Sequence, residues 1–164
     1  MGQLAIRIEV EVRRREKLVD HYEAVNHILV SLFNDIMDVE EKAIIFDEFK
    51  DISSNDMHII EVIGQDEPKN MSTIAAAMKV TVGTLTIAIN NLVKKGYVIR
   101  SRGEKDRRVV FISLSDKGNR AYEHHKKFHD EMTRAILKRL DDQEIEVLMK
   151  ALNNIRDYFN MDKK

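Results

Sequence analysis

The run KNMSTIAAAMKVTVGTLTIAINNLVKKGYVIRSRGEKDRR, residues 69–108, decides how this chain folds. Asn70 is a helix N-cap, followed by Ile74, Ala75 and Met78 on one face. Thr81 caps a second helix that runs to Lys95, and Gly96 closes it as a left-handed residue. Tyr97–Ser101 and Arg108–Leu114 are rich in β-branched and aromatic residues. They flank residues 102–106, a hairpin with glycine at its turn. Helix, turn, helix and hairpin in direct succession are the layout of a winged helix-turn-helix. The run holds nine Lys or Arg against two acids, a local charge of +7 in a chain of net −1, so the remainder sums to −8. One surface is built to meet an anion, and a whole-chain charge near zero hides it.

Outward from this run, the chain carries long helices. Leu18, Tyr22, Val25, Leu29, Leu32 and Ile36 recur in alternating steps of four and three, a seam that predicts a helix from about Lys17 to Phe46. At 1.5 Å per residue it is roughly 45 Å long, too long to cover its own seam within a small domain. Ser53 or Ser54 starts a short helix that Gly64 ends, and Met57, Ile60 and Ile63 face inward. Ser115 caps a helix to about Leu140. Asp141 and Glu144 form a capping-box pattern before a last seam of Ile145, Leu148, Leu152, Ile155 and Phe159. The expected fold is mainly α: a two-stranded wing on a winged helix-turn-helix, between long N- and C-terminal dimerisation helices. The expected divisions are a dimerisation helix at 18–50, the DNA-binding domain at 51–114 and C-terminal dimerisation helices at 115–160. Residues 1–17 are an extension whose LAIRIEVEV run has strand-like period two; a frayed strand, a helix extension or an artificial addition all fit it.

Composition narrows the function. With 164 residues, 43% hydrophobic and 34% charged, the chain has a core and long solvated helices. The absence of cysteine removes disulfides, thiol redox sensing and cysteine-ligated metals, and suits a reducing cytoplasm. No apolar run reaches the roughly 18 residues of a membrane span, and no signal peptide or lipidation pattern is present, so a cytoplasmic protein without a membrane partner is expected. There is no glycine-rich phosphate loop, no nucleophile motif and no recognisable carboxylate pair, so no enzyme is expected.

On the second helix of the basic run, Leu85, Ala88, Ile89 and Leu92 form the inward stripe. The other side shows Gly83, Thr86, Ile87, Asn90 and Lys94, small and uncharged at its N-terminal end, where a recognition helix enters the major groove. Gly83 permits close approach to phosphate. The cap Thr81 sits at the same end, and Thr84 and Thr86 can bond phosphates or base edges. Asn90 has the amide that pairs with adenine, and Ile87 suits thymine methyls. No arginine is present to fork onto guanine, so an A·T-rich operator is expected in double-stranded DNA. In the hairpin, Arg102, Lys105, Arg107 and Arg108 crowd Asp106, whose carboxylate can preset the guanidinium of Arg108 for a narrow minor groove. Taken alone, the helix also reads as an ordinary amphipathic helix and the hairpin as a solvated charged turn.

The run from Asn70 through Gly118 resembles the MarR family of bacterial regulators, on STIAAAMKVTVGTLTIAINNLVKKGYVIR, the wing DRR at Asp106–Arg108 and LSDKG at Leu114–Gly118. With its flanking helices, the resemblance covers about residues 18–160. It implies a homodimer and places the family's Asp-x-Arg pair on Asp106 and Arg108. Lys79 departs from the glycine often found between the two helices. Within the family, NDMHIIEVIG (Asn55–Gly64) and VTVGTLTIAINNLVKKGY (Val80–Tyr97) are most similar to repressors of fatty-acid-synthesis genes in Gram-positive bacteria. That similarity implies a corepressor, long-chain acyl groups on acyl carrier protein. The alternatives are release from DNA by a phenolic or drug-like ligand, or a zinc response.

For an acyl chain, Phe33, Met37, Ile44, Ile45, Phe46 and Phe49, with Met57, Ile60 and Ile63, are expected to meet between the dimerisation helices and the DNA module. Each taken singly reads better as plain core. His58 is expected there as a hydrogen-bonded structural residue, and is grouped with Phe33, Met37, Phe46, Phe49, Met57 and Ile60 as the candidate effector site. His124, His125 and His129 share a helix. The pair His125/His129 at i, i+4 can share a metal, but no third ligand is evident, so neither metal nor cofactor is assigned.

Overall fold

The computed structural model describes the backbone of residues 2–44, 48–103 and 109–161, and the side chains of 21–43, 48–103 and 109–160. The elements run α1 (Gly2–Ile44), α2 (Ser54–Ile63), β1 (Lys69–Asn70), α3 (Met71–Met78), α4 (Val82–Lys94), β2 (Val98–Arg102), β3 (Val110–Leu114), α5 (Asp116–Leu137) and α6 (Asp142–Met161). Local chemistry sets most boundaries. The Ser53 hydroxyl accepts from the Asp56 amide while the Asp56 carboxylate accepts from the Ser53 amide, a full capping box for α2. Asn70, Thr81 and Ser115 cap α3, α4 and α5 through the amides of Thr73, Thr84 and Gly118. Asp141 and Glu144 exchange side-chain and backbone hydrogen bonds at 2.9 and 3.0 Å at the start of α6.

Three readings are sharpened. Residues 2–17, which the sequence leaves open, are a helix extension: α1 is one helix of 43 residues, roughly 65 Å long. Period-two alternation makes a strand only where a neighbouring strand accepts its hydrogen bonds, whereas a helix satisfies its backbone internally. The two-stranded wing is the hairpin β2–β3, and it is part of a three-stranded sheet. β1 adds a third strand in the order β1-β3-β2, pairing Lys69 with Ile112 and Asn70 with Phe111. Lastly, α5 stops at Leu137, three residues short of the expected end.

The core belongs to the DNA module. Met57, Ile60 and Ile63 of α2, Ile74 of α3, Leu85, Ile89 and Leu92 of α4, Tyr97, and Ile112 of β3 are almost wholly buried. By contrast, α1 shows Tyr22, Val25, Leu29, Leu32 and Phe33 to the surface, and α6 shows Val147, Leu152, Tyr158 and Phe159. Apolar area of that extent along two helix seams is the mark of an interaction surface. Between α3 and α4, Lys79 sits at φ 56°, ψ 38°, the left-handed conformation expected to favour glycine. It costs roughly 1–2 kcal/mol for a residue with a Cβ. The hydrogen bonds Lys79 N–H to Ala76 and Val80 N–H to Ala75 offset that strain by closing the helix end.

Candidate nucleic-acid interface

α4 is held at both ends. At its C-terminus, Gly96 takes φ 81° and the Lys95 ammonium lies 2.9 Å from Asp56, within the capping box of α2. At its N-terminus the Thr81 and Thr84 hydroxyls bond each other at 2.9 Å and cap the helix. Its inward stripe is the expected one: Leu85, Ile89 and Leu92 are buried and Ala88 partly so. Gly83, Ile87, Asn90 and Lys94 are exposed, with Ile87 at 67% of its surface.

The threonines are less free than their sequence positions indicate. Thr81 and Thr84 are engaged in the cap, and the Thr86 hydroxyl donates to the Val82 carbonyl at 2.7 Å. Ile87 and Asn90 of the candidate set are exposed on the outer face. A Cβ on Gly83 would meet only the Thr81 hydroxyl oxygen, at 3.7 Å, which is ordinary contact. Packing within the chain therefore does not require that glycine, and the open space lies on the outer face.

Beside α4, a groove of about 400 Å³ is lined by Met71, Thr86, Arg100, Ser101, Arg102 and Val110. It joins the recognition helix to the wing root. Arg102 of the candidate set lines it, and exposed Arg100 joins it, a cation the sequence reading passed over. Strand pairing of Arg100 with Ile112 and Arg102 with Val110 brings both into the groove wall. Alternation within Val98–Arg102 is the signal that could have found Arg100. Lys105, Asp106, Arg107 and Arg108 lie outside the described residues.

The whole arrangement is similar to that of solved DNA-binding proteins. A MarR family model matches residues 52–110. The crystal structure of Streptococcus pneumoniae FabT in complex with DNA is 39% identical, over 87% of this chain and 99% of that one, with a TM-score of 0.82. The chain belongs to the MarR family. It is a DNA-binding transcriptional regulator with the family's winged-helix fold, and not an enzyme. The Staphylococcus aureus MepR–DNA complex shares that fold at 19% identity, covering 82% of this chain and 95% of that one, with a TM-score of 0.65. Among curated relatives, the Bacillus subtilis regulator YpoP is 26% identical over 65% of this chain and 75% of its own length. Two further B. subtilis regulators, PchR and YhjH, are matched over about 60% of theirs. No single described helix of this MarR protein is long and apolar enough to cross a membrane.

The candidate effector residues occupy different environments within the single chain. Met57, Ile60 and Phe49 belong to the core, whereas Phe33 is 65% and Met37 37% exposed on α1. Phe46 lies outside the described residues. His58 does sit at the junction, hydrogen-bonded to Glu40 at 3.0 Å.

The histidines of α5 divide into two groups. His124 contacts the Ala43 carbonyl at 2.9 Å and lies against Phe49. His125, almost wholly buried, lies between Glu40, Glu61 and His129. Burial pushes the His125 imidazole down to about 4, and neighbouring His129 adds to this against the opposing pull of Glu40. His125 is neutral in the fold. The reading that His125 and His129 lack a third ligand partner is thus corrected: α1 and α2 bring Glu40 and His58 to them. Those residues are 18 and 67 positions apart in the chain, beyond the reach of local spacing.

Proposed function

We propose that this MarR protein is a homodimeric repressor of type II fatty-acid-biosynthesis genes, acting in the cytoplasm on an A·T-rich palindrome. Long-chain acyl-acyl carrier protein is its corepressor. The single observation that carries the reading is the 39% identity to FabT in complex with DNA across nearly the full length of both chains. The arginine-free face of α4, with Ile87 outward beside Asn90, supports A·T preference. The uncovered seams of α1 and α6 support the dimer, whose two-fold axis sets the recognition helices about 34–36 Å apart.

In this reading residues 18–50 and 115–160 pair the subunits, and 51–114 contact DNA. Thr81, Gly83, Thr84, Thr86 and Lys94 meet the backbone, Ile87 and Asn90 read bases, and Arg102 through Arg108 serve the minor groove. The acyl chain lies against the exposed Phe33 and Met37 of the dimerisation helix, selecting the subunit spacing that fits DNA. Titrating operator affinity with carrier protein, acylated and unacylated, tests it. Tighter binding with the acylated form alone is expected, and no response rejects the corepressor. Sedimentation of the free protein tests the dimer, and a monomer at micromolar concentration rejects it.

A further inference from the structure

We propose that Arg100 clamps one backbone phosphate of the DNA in the groove between α4 and β2, fixing how deeply the recognition helix sits. Hairpin pairing puts Val98, Arg100 and Arg102 on one face of the sheet, opposite Leu114, Ile112 and Val110. Val98, Ile112 and Leu114 are buried in the core, yet Arg100 and Arg102 are exposed. The face that elsewhere packs on the module thus turns cationic within two residues, where the hairpin passes beside Thr86 of α4. Met71 and Val110, both half-buried, supply an apolar lining for the long aliphatic stem of an arginine.

Charge argues the same way. Lys95, Lys117 and Arg120 are each held by an acid: Asp56, Asp51 and Glu48 respectively. Among the described residues, no carboxylate pairs with Arg100 or Arg102. The Thr86 hydroxyl has already given its proton to the Val82 carbonyl, so the charged donors of the groove are the two guanidinium groups. An arginine fork matches two oxygens of a phosphate, a bidentate geometry that lysine lacks. Position selects the anion. The phosphate strand of a duplex is the wall between its major and minor grooves, and this protein groove lies between the helix that enters the first and the wing that enters the second. The clamp rests on that placement of α4 and the wing, and not on the fatty-acid reading.

The test uses the full chain and the tightest duplex it selects from a randomised library, so no target gene or corepressor is assumed. Affinities are measured from about 50 to 200 mM salt. Arg100→Gln, checked for helical content by circular dichroism, should bind at least about tenfold more weakly, and equally so for the selected duplex and its point variants. Its log–log salt slope should be shallower by about 0.9 per subunit. Arg100→Lys should restore the slope but only part of the affinity, since the charge returns without the fork. Lys127→Gln, the same loss of charge on α5, should change neither. Neutral methylphosphonates placed singly along the duplex then locate the contact. One position per half-site, between the major-groove and minor-groove footprints, should weaken the parent and not weaken Arg100→Gln further. An unchanged salt slope, an equal methylphosphonate loss in parent and variant, or a loss of preference confined to one base pair overturns the clamp. A parent indifferent to every phosphate between the two footprints overturns the placement of α4 and the wing, and the clamp with it.

Discussion

Gly118 lies so close to Tyr97 that a Cβ placed on it would stand 2.1 Å from the Tyr97 carbonyl oxygen. That carbonyl cannot retreat, because it accepts the Ser115 amide at 2.9 Å. The first turn of α5 is thereby seated on the segment leaving the recognition helix, which accounts for the glycine of the LSDKG run. Gly118→Ala should destabilise the fold by about 1–3 kcal/mol through overpacking. Urea denaturation monitored by circular dichroism measures this, and parental stability would remove the steric account.

Gly83 presents the opposite case, having no packing reason to be glycine. Gly83→Ala should leave the melting temperature equal or slightly higher, since alanine favours the helix by up to about 1 kcal/mol. Operator affinity should nonetheless fall at least about tenfold, because the added methyl keeps the backbone from its phosphate. Paired melting and mobility-shift measurements check both halves. Full DNA affinity in a stable variant would show that the outer face of α4 does not meet DNA there.

Ile87 and Asn90 should change preference more than gross affinity. Replacing Asn90 by Ala is expected to relax selectivity at one or two positions by about 1–3 kcal/mol each. Ile87→Ser should lower the preference for thymine at its contact. Selection from a randomised operator library reads both, and identical base profiles for parent and variants would place the reading surface elsewhere.

Acid should loosen the joint between α4 and the segment before α2. The Tyr97 hydroxyl and Lys117 ammonium both donate to Asp51, and Lys117 also lies 4.0 Å over the Tyr97 ring. Burial is the largest single influence and raises the Asp51 carboxyl, but these two donors together outweigh it and hold it below its ordinary 3.8. The contribution is therefore present above about pH 4 and lost as pH falls through the depressed value. Tyr97 is shifted upward by its burial and then by Asp51, and stays protonated at physiological pH. Tyr97→Phe should cost about 1 kcal/mol at pH 7, a low value for a charged acceptor because Asp51 is nearly half exposed. The variant's deficit should shrink as pH drops below 4. Melting curves across pH 3–7 check it, and a deficit independent of pH would exclude Asp51 as the partner.

What the chain announces on its own is whatever lies within about four residues of its cause. Ser53, Asn70, Thr81, Ser115 and the Asp141–Glu144 pair are legible because a cap is a bond to an amide two or three positions on. The buried stripe Leu85–Ile89–Leu92 is legible because helical period alone selects it. Even the strained Lys79 is located by its place between two helix signals. The helical state of residues 2–17 was not legible, since period-two alternation gives no indication of whether a partner strand exists.

Tertiary structure decided the rest. It attached Lys69–Asn70 to β3, put Arg100 in the groove wall, and buried Met57 and Ile60 fully in the core. It also closed Glu40, His58, His125 and His129 into one cluster from three helices. Apolar residues look alike in sequence whether they line a cavity or fill a core, and polar groups separated by tens of residues meet only when helix packing makes them neighbours.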